Sequence, residues 1–339
     1  MSERNLQPKY GFHPLADFAP PDRVLSESVA AEKAGFDGIF IPDHFHPWSI
    51  AQGTPFAWTL IASIAERTKL LPIGTAVTCP MLRYNPAIVA QAFATLGTIY
   101  EGRIFLGVGT GEALNEVPVG YSWPRGRERL ERLKEAVEVI RMLWEGDHVS
   151  FKGDYYKLDG AKLYTKPKSK VPIYVSGFGP KATQLAGAIG DGWITGSLPD
   201  DYLRNLLIPA YERGLKEAGG SPEKSERIVE LIFSYDEDYE KALDAAGAIA
   251  GAFFPAVSKY GVHDPREIDG YGRLLDRSKI AERIMVIDNP EKLISRMGSL
   301  AKLGFSWIEI ANLNPDNRKF LELAGAKILP YLREEFNAR

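Results

Sequence analysis

A single cysteine, Cys79, stands among 339 residues. No disulfide can close within the chain, and such sparing use of cysteine suits a reducing compartment. Histidine is scarce too, five in all, which restricts the metal sites that imidazoles can furnish. There is no basic excess: 41 lysines and arginines face 44 aspartates and glutamates, a net charge of −3, and this argues against a nucleic-acid surface. No apolar run approaches the roughly 20 residues that a bilayer demands. The first eight residues, Met1 to Pro8, lack the apolar core of a signal peptide. A soluble, cytoplasmic enzyme with no membrane partner is the expectation. The 45% apolar and 25% charged content is that of an ordinary globular protein.

What the chain has in plenty is alternation of strand and helix patterns. Strands are expected at 9–12, 39–41, 70–77, 104–108, 172–175, 192–194, 228–235 and 305–311, each a short apolar run. Helices are expected between them. One spans 21–34 and is closed by Gly35, one spans 55–67, and one opens at Asn85-Pro86 with an N-cap followed by proline in the first turn. The helix over 127–144 carries apolar residues at 130, 133, 137, 140 and 144, the stripe of a helix lying on a sheet. A closing helix runs from about 315 to 336 with a kink expected at Pro330. Eight β/α units in series predict a (β/α)8 TIM barrel, with an open doubly wound sheet as the rival. Such barrels take about 250 residues, so the surplus goes to insertions at about 110–126, 146–170 (a hairpin turning at Gly153-Asp154) and 239–297. With no linker and no repeat, residues 1–339 read as one domain.

A barrel places its chemistry just past the C-terminal ends of its strands, and the unusual residues fall there. Asp43-His44-Phe45-His46-Pro47-Trp48 follows the second strand, and Ala76-Val77-Thr78 ends the third. Gly107-Val108-Gly109-Thr110-Gly111-Glu112 ends the fourth, and Ser176-Gly177-Phe178-Gly179 the fifth. His44 and His46 lie on one side of an extended segment, but no further ligand set follows later strands, so no metal is expected. Cys79 before Pro80 reads as a small buried hydrophobe, and no Gly-x-Ser-x-Gly elbow exists. Gly107-x-Gly109-x-Gly111 lacks the spacing of a dinucleotide fingerprint and follows the wrong strand. It is either a tight turn or a backbone approaching a flat ligand, with Glu112 aimed into the same space. Gly177 to Lys181 opens a helix, where free N–H groups favour an anion. His44 and Glu112 make a usable acid–base pair: an imidazole takes a hydroxyl proton as hydride leaves the same carbon, and a carboxylic acid protonates a reduced cofactor. Trp48 caps the substrate or stacks on a ring. The competing reading, His44 bonded structurally to Asp43 with Trp48 in the core, fits composition equally well.

Longer strings carry a resemblance. Asp43-His44-Phe45-x-Pro47-Trp48, Arg83-Tyr84-Asn85-Pro86-Ala87, Gln91-Ala92-Phe93-Ala94-Thr95, Gly107 to Glu116, Gly153-Asp154-Tyr155-Tyr156 and Gly190-Asp191-Gly192 are similar to the deazaflavin-dependent branch of the bacterial luciferase-like family, over nearly the whole chain. Its members bind coenzyme F420, an 8-hydroxy-5-deazaflavin, in a TIM barrel. Within the branch the chain is most similar to the glucose-6-phosphate dehydrogenases, with the secondary alcohol dehydrogenases nearly as similar. The resemblance implies an oxidoreductase of carbohydrate metabolism that oxidises C1 of a sugar 6-phosphate to the lactone. The alternatives are a secondary alcohol dehydrogenase and, in the wider family, an FMN-dependent monooxygenase. It implies catalytic roles for His44, Glu112 and Trp48. It implies coenzyme contacts from Asp43, Ala76, Val77, Thr110, Gly111, Asn115, Ser176, Gly177, Phe178 and Gly179, with a cis peptide at Ala76-Val77. For the substrate it implies Asp17, Gly196, Lys259 and Arg283, the last two on phosphate. A third phosphate lysine of the family has no counterpart at Leu198-Pro199. Family members are commonly homodimers.

Overall fold

The computed structural model describes residues 7–50 and 53–337. The expected barrel is present. Its staves are β1 (Lys9–Phe12), β2 (Gly38–Ile41), β3 (Ile73–Thr75) and β4 (Ile104–Val108). After a two-stranded hairpin, β5 (Val149–Lys152) and β6 (Lys157–Ala161), come β7 (Ile173–Ser176), β8 (Gly192–Gly196) and β9 (Glu226–Tyr235). A short β10 (Met285–Ile287) precedes the last stave, β11 (Trp307–Asn312). The order β1-β2-β3-β4-β7-β8-β9-β11 closes on itself because β11 pairs with β1, all in parallel.

Local sequence explains the boundaries. Helix α1 (Pro21–Ala34) begins with proline at its first turn and ends at Gly35, whose φ of 87° lets its N–H reach back to Ala31 and Glu32. Helix α2 (Ala57–Arg67) starts two residues later than expected. Helix α3 (Pro86–Ile99) is capped by Asn85, whose side chain accepts from the N–H of Ala87. A single turn, α4 (Ala113–Glu116), follows β4; α5 (Gly126–Glu145) buries Leu133, Val137 and Ile140 against the sheet; and α6 (Pro180–Ile189) follows β7.

Three departures from expectation have local causes. The third strand is shorter than 70–77, because the chain leaves the ladder after Thr75 and rejoins only through a bridge from Thr78 to Val108. The segment 239–297, expected only as an insertion, also contributes a strand: β10 adds to the protruding end of β9, pairing Met285 with Phe233 and Ile287 with Tyr235. The closing helix begins at Arg318, and its irregularity is a π-turn over Ala324–Ile328, ahead of Pro330. A wider turn there accommodates a residue without an N–H, and the same device, Leu203–Leu207, precedes Pro209.

Phe40, Phe105, Ile194, Ile228 and Trp307 fill the barrel interior at its lower end. Phe40 contacts Phe105 and Trp307 with ring centroids 4.9 and 5.5 Å apart. This aromatic plug makes the barrel a packed core below, and the cavity lies above it.

Candidate active site

The cavity opens at the C-terminal ends of the staves and holds about 460 Å³, within the range of small-molecule sites. Asp17, Asp43, His44, Trp48, Ala76, Val77, Thr110, Gly111, Glu112, Asn115 and the run from Ser176 to Gly179 all line it. Strand ends expected to converge do converge.

His44 leaves the end of β2 with its two nitrogens in different environments. Nδ1 hydrogen-bonds Oδ2 of Asp17, and Nε2 lies 3.7 Å from Oε2 of Glu112. Burial alone depresses the basicity of this imidazole. The charge and hydrogen bond of Asp17, aided by Glu112, outweigh it and raise its pKa to about 9. Burial raises the pKa of Glu112, against the opposing pull of His44, while 39% of its side chain stays open to the cavity. A carboxyl whose pKa burial raises, beside an imidazole whose pKa a second carboxylate raises, is a pairing suited to acid–base catalysis. Trp48 stands edge-on to His44, centroids 6.1 Å apart at 83°.

His44 does not bond Asp43. Asp43 is instead the hub of a buried network: Arg83 donates to its Oδ1 at 2.9 Å and to its backbone carbonyl at 2.6 Å, Tyr84 donates to Oδ1 at 3.1 Å and Thr78 to Oδ2 at 2.6 Å. Arg83 also pairs with Glu116 at 3.1 Å. Asn115 is similarly committed. Its Oδ1 accepts from the N–H groups of Phe45 and His46 at 2.7 and 3.3 Å, and its Nδ2 donates to Glu112 at 3.2 Å. Asp43 and Asn115 thus hold the β2 and β4 loops in place from the cavity wall.

Close approach explains two glycines. Gly111 has φ of 71° and turns the chain directly over Cys79. A Cβ on Gly177 would lie 2.7 Å from the Thr183 nitrogen, so only glycine lets the β7 loop fold onto the start of α6. The peptide bond Ala76-Val77 is cis.

The substrate residues expected from the resemblance divide. Asp17 lies at the wall, on His44. Gly196 lies outside the lining, under the ring of Phe178. Arg283 is exposed at the rim, its guanidinium 5.0 Å from the ring of Phe254 and donating to the Phe253 carbonyl at 3.3 Å. The side chain of Lys259 lies outside the described residues. The sequence reading missed His13, Glu230 and Glu309, which also line the cavity. Their signal was faint: Glu230 and Glu309 are single carboxylic residues within apolar runs and His13 directly follows one, with the inward parity of Ile228, Trp307 and Gly11.

A closed parallel barrel, with an imidazole–carboxyl pair above an aromatic plug, defines a TIM-barrel enzyme site. The luciferase-like monooxygenase family matches residues 6–306, and the chain belongs to it. An F420-dependent glucose-6-phosphate dehydrogenase from Microbacterium testaceum is 39% identical over 97% of this chain and 98% of its own. Another from Nakamurella multipartita is 40% identical, with 96% of each covered. The solved structure of an F420-dependent secondary alcohol dehydrogenase, in complex with an F420–acetone adduct, superposes with a TM-score of 0.90 at 39% identity, covering 96% of this chain and 99% of that one.

Proposed function

We propose that this protein is an F420-dependent sugar-6-phosphate dehydrogenase, with glucose 6-phosphate as the leading substrate. The observation that carries this reading is His44 Nε2 turned into the cavity 3.7 Å from Glu112, and the relatives' names supply the coenzyme and substrate class. The residues fit a deazaflavin: the wall from Ala76 to Val77 is apolar, Gly109 opens space beside Val77, and the Ser176–Gly179 turn leads into the N-terminus of α6, where an anionic tail is favoured.

When bound, the deazaflavin supplies a two-electron acceptor for hydride. The substrate carbon gives up that hydride and its hydroxyl gives up a proton, leaving C=O, a lactone when the carbon is anomeric. His44 Nε2 receives the hydroxyl proton, and Asp17 on the opposite nitrogen stabilises the imidazolium that results. Glu112, whose carboxyl burial pushes toward the neutral form, faces the same cavity and would supply the proton that accompanies hydride acceptance. Trp48 borders the space in which the substrate carbon meets His44. Arg283 exchanges the Phe253 carbonyl for phosphate at the rim, a charge-assisted contact.

The second reading, a secondary alcohol dehydrogenase, is favoured by the apolar upper wall of Leu15, Ile232, Ile249, Phe253 and Leu313. Coenzyme reduction across sugar phosphates and short secondary alcohols separates the two. In the first reading Arg283→Ala raises KM for the sugar phosphate about tenfold or more and leaves propan-2-ol unaffected. An unchanged KM for the sugar phosphate contradicts it.

A further inference from the structure

Three adjacent staves, β9, β11 and β1, bring one ionisable side chain each to the closed end of the cavity. The register sets Glu309 beside Glu230 on β9 and beside Gly11 on β1. His13, two residues past Gly11, hydrogen-bonds Oε1 of Glu309 through Nδ1 and lies 3.7 Å from Oε1 of Glu230. The cluster rests on the aromatic plug. Glu309 is fully buried, and its second oxygen, Oε2, has no hydrogen-bond partner among the described residues. A buried unsatisfied carboxylate oxygen in a native cavity wall needs a partner. Glu230 is 22% exposed at the side chain.

None of the proton transfers proposed above uses these groups. Their nitrogen and oxygen atoms lie within 4.8 Å of one another, but Nδ1 of His13 is already engaged by Glu309, so the set is organised to hold a carboxylate rather than to release an imidazole to a cation. We propose that Glu309 and Glu230, positioned by His13, form a hydroxyl-binding subsite at the floor of the cavity. Glu230, the member open to the cavity, meets the ligand's O–H, accepting as carboxylate or donating as acid, and Glu309, buried behind it and held by His13, sets its charge. Burial and the charge of Glu309 lift the Glu230 pKa to about 7, so both forms exist near neutrality. The inference rests on the F420-dependent dehydrogenase reading, which offers two sources of such a hydroxyl: the sugar, and the ring hydroxyl of the 8-hydroxy-5-deazaflavin.

The test compares wild type with Glu309→Gln and Glu230→Gln, each first checked for an unchanged melting temperature. Oxidised F420 is titrated by fluorescence, and KM is measured for glucose 6-phosphate and its monodeoxy analogues. A sugar source predicts a KM raised about tenfold or more in Glu230→Gln, with loss of discrimination against one deoxy analogue and an unchanged coenzyme Kd. A coenzyme source predicts a Kd raised by a similar factor in both variants, with a shifted absorption band of the bound coenzyme. If Glu309→Gln does not fold, the Kd and KM of Glu230→Gln decide. Wild-type constants in folded variants overturn the subsite alone. A wild type that neither binds F420 nor oxidises any alcohol overturns the dehydrogenase reading, and the subsite with it.

Discussion

The two ring nitrogens of His44 face two different carboxylates: Asp17 bonds Nδ1, and Glu112 Oε2 stands 3.7 Å from Nε2. The ring is therefore fixed in the orientation that turns Nε2 toward the cavity. His44→Ala removes the proton acceptor, and kcat for alcohol oxidation falls by about 10² to 10⁴. Coenzyme affinity, measured by fluorescence titration, stays at the wild-type value.

Asp17 sets the pH dependence. With its pKa at about 9, His44 is mostly imidazolium at neutral pH, so kcat/KM for oxidation climbs with pH toward a limb near 9. Asp17→Asn removes the charge that opposes burial, and the limb moves to lower pH. Stability follows the same group with the sign of a raised folded-state pKa. The contribution is complete below the unfolded value near 6.5 and is lost as pH rises through about 9. Urea midpoints measured between pH 6 and 10 should therefore fall in wild type and fall less in Asp17→Asn.

Asn115 joins the loop that carries His44 to the carboxyl of Glu112. Asn115→Ala lowers kcat about tenfold, the scale of one ordinary hydrogen bond. In a double-mutant cycle its effect shrinks when Glu112 is already Gln. Additive losses would show that Asn115 acts elsewhere.

Arg83 lies between two buried carboxylates, Asp43 and Glu116, with side chains 1% and 0% exposed. Arg83→Met strands both and destabilises the fold by about 3–5 kcal/mol, read from urea denaturation. Lowering the pH recovers part of the loss by protonating Glu116, whose pKa burial already raises.

The barrel and the mouth of the site were legible because their signals are local. Gly35 and Asn85 announce helix ends, and Asp43 to Trp48 and Gly107 to Glu112 interrupt apolar runs with polar strings. The floor was harder to read. Glu230 and Glu309 are single residues inside strands, and only the register of β9, β11 and β1 makes them neighbours of His13. The partner of His44 was hidden for the same reason: Asp43 is adjacent in sequence, but Asp17 arrives from β1 in space. Arg83 stood within a recognised string, yet its role depends on Glu116 across the loop.

Deuterium transfer tests the central claim most directly. Glucose 6-phosphate carrying deuterium at C1 is incubated with the protein and oxidised F420, and the reduced coenzyme is examined by NMR. The expected result is one deuterium at C5 of the deazaflavin per turnover, with the rate of transfer lowered about 10² to 10⁴ in His44→Ala. Reduced coenzyme without deuterium at C5, or transfer at the wild-type rate in His44→Ala, contradicts it.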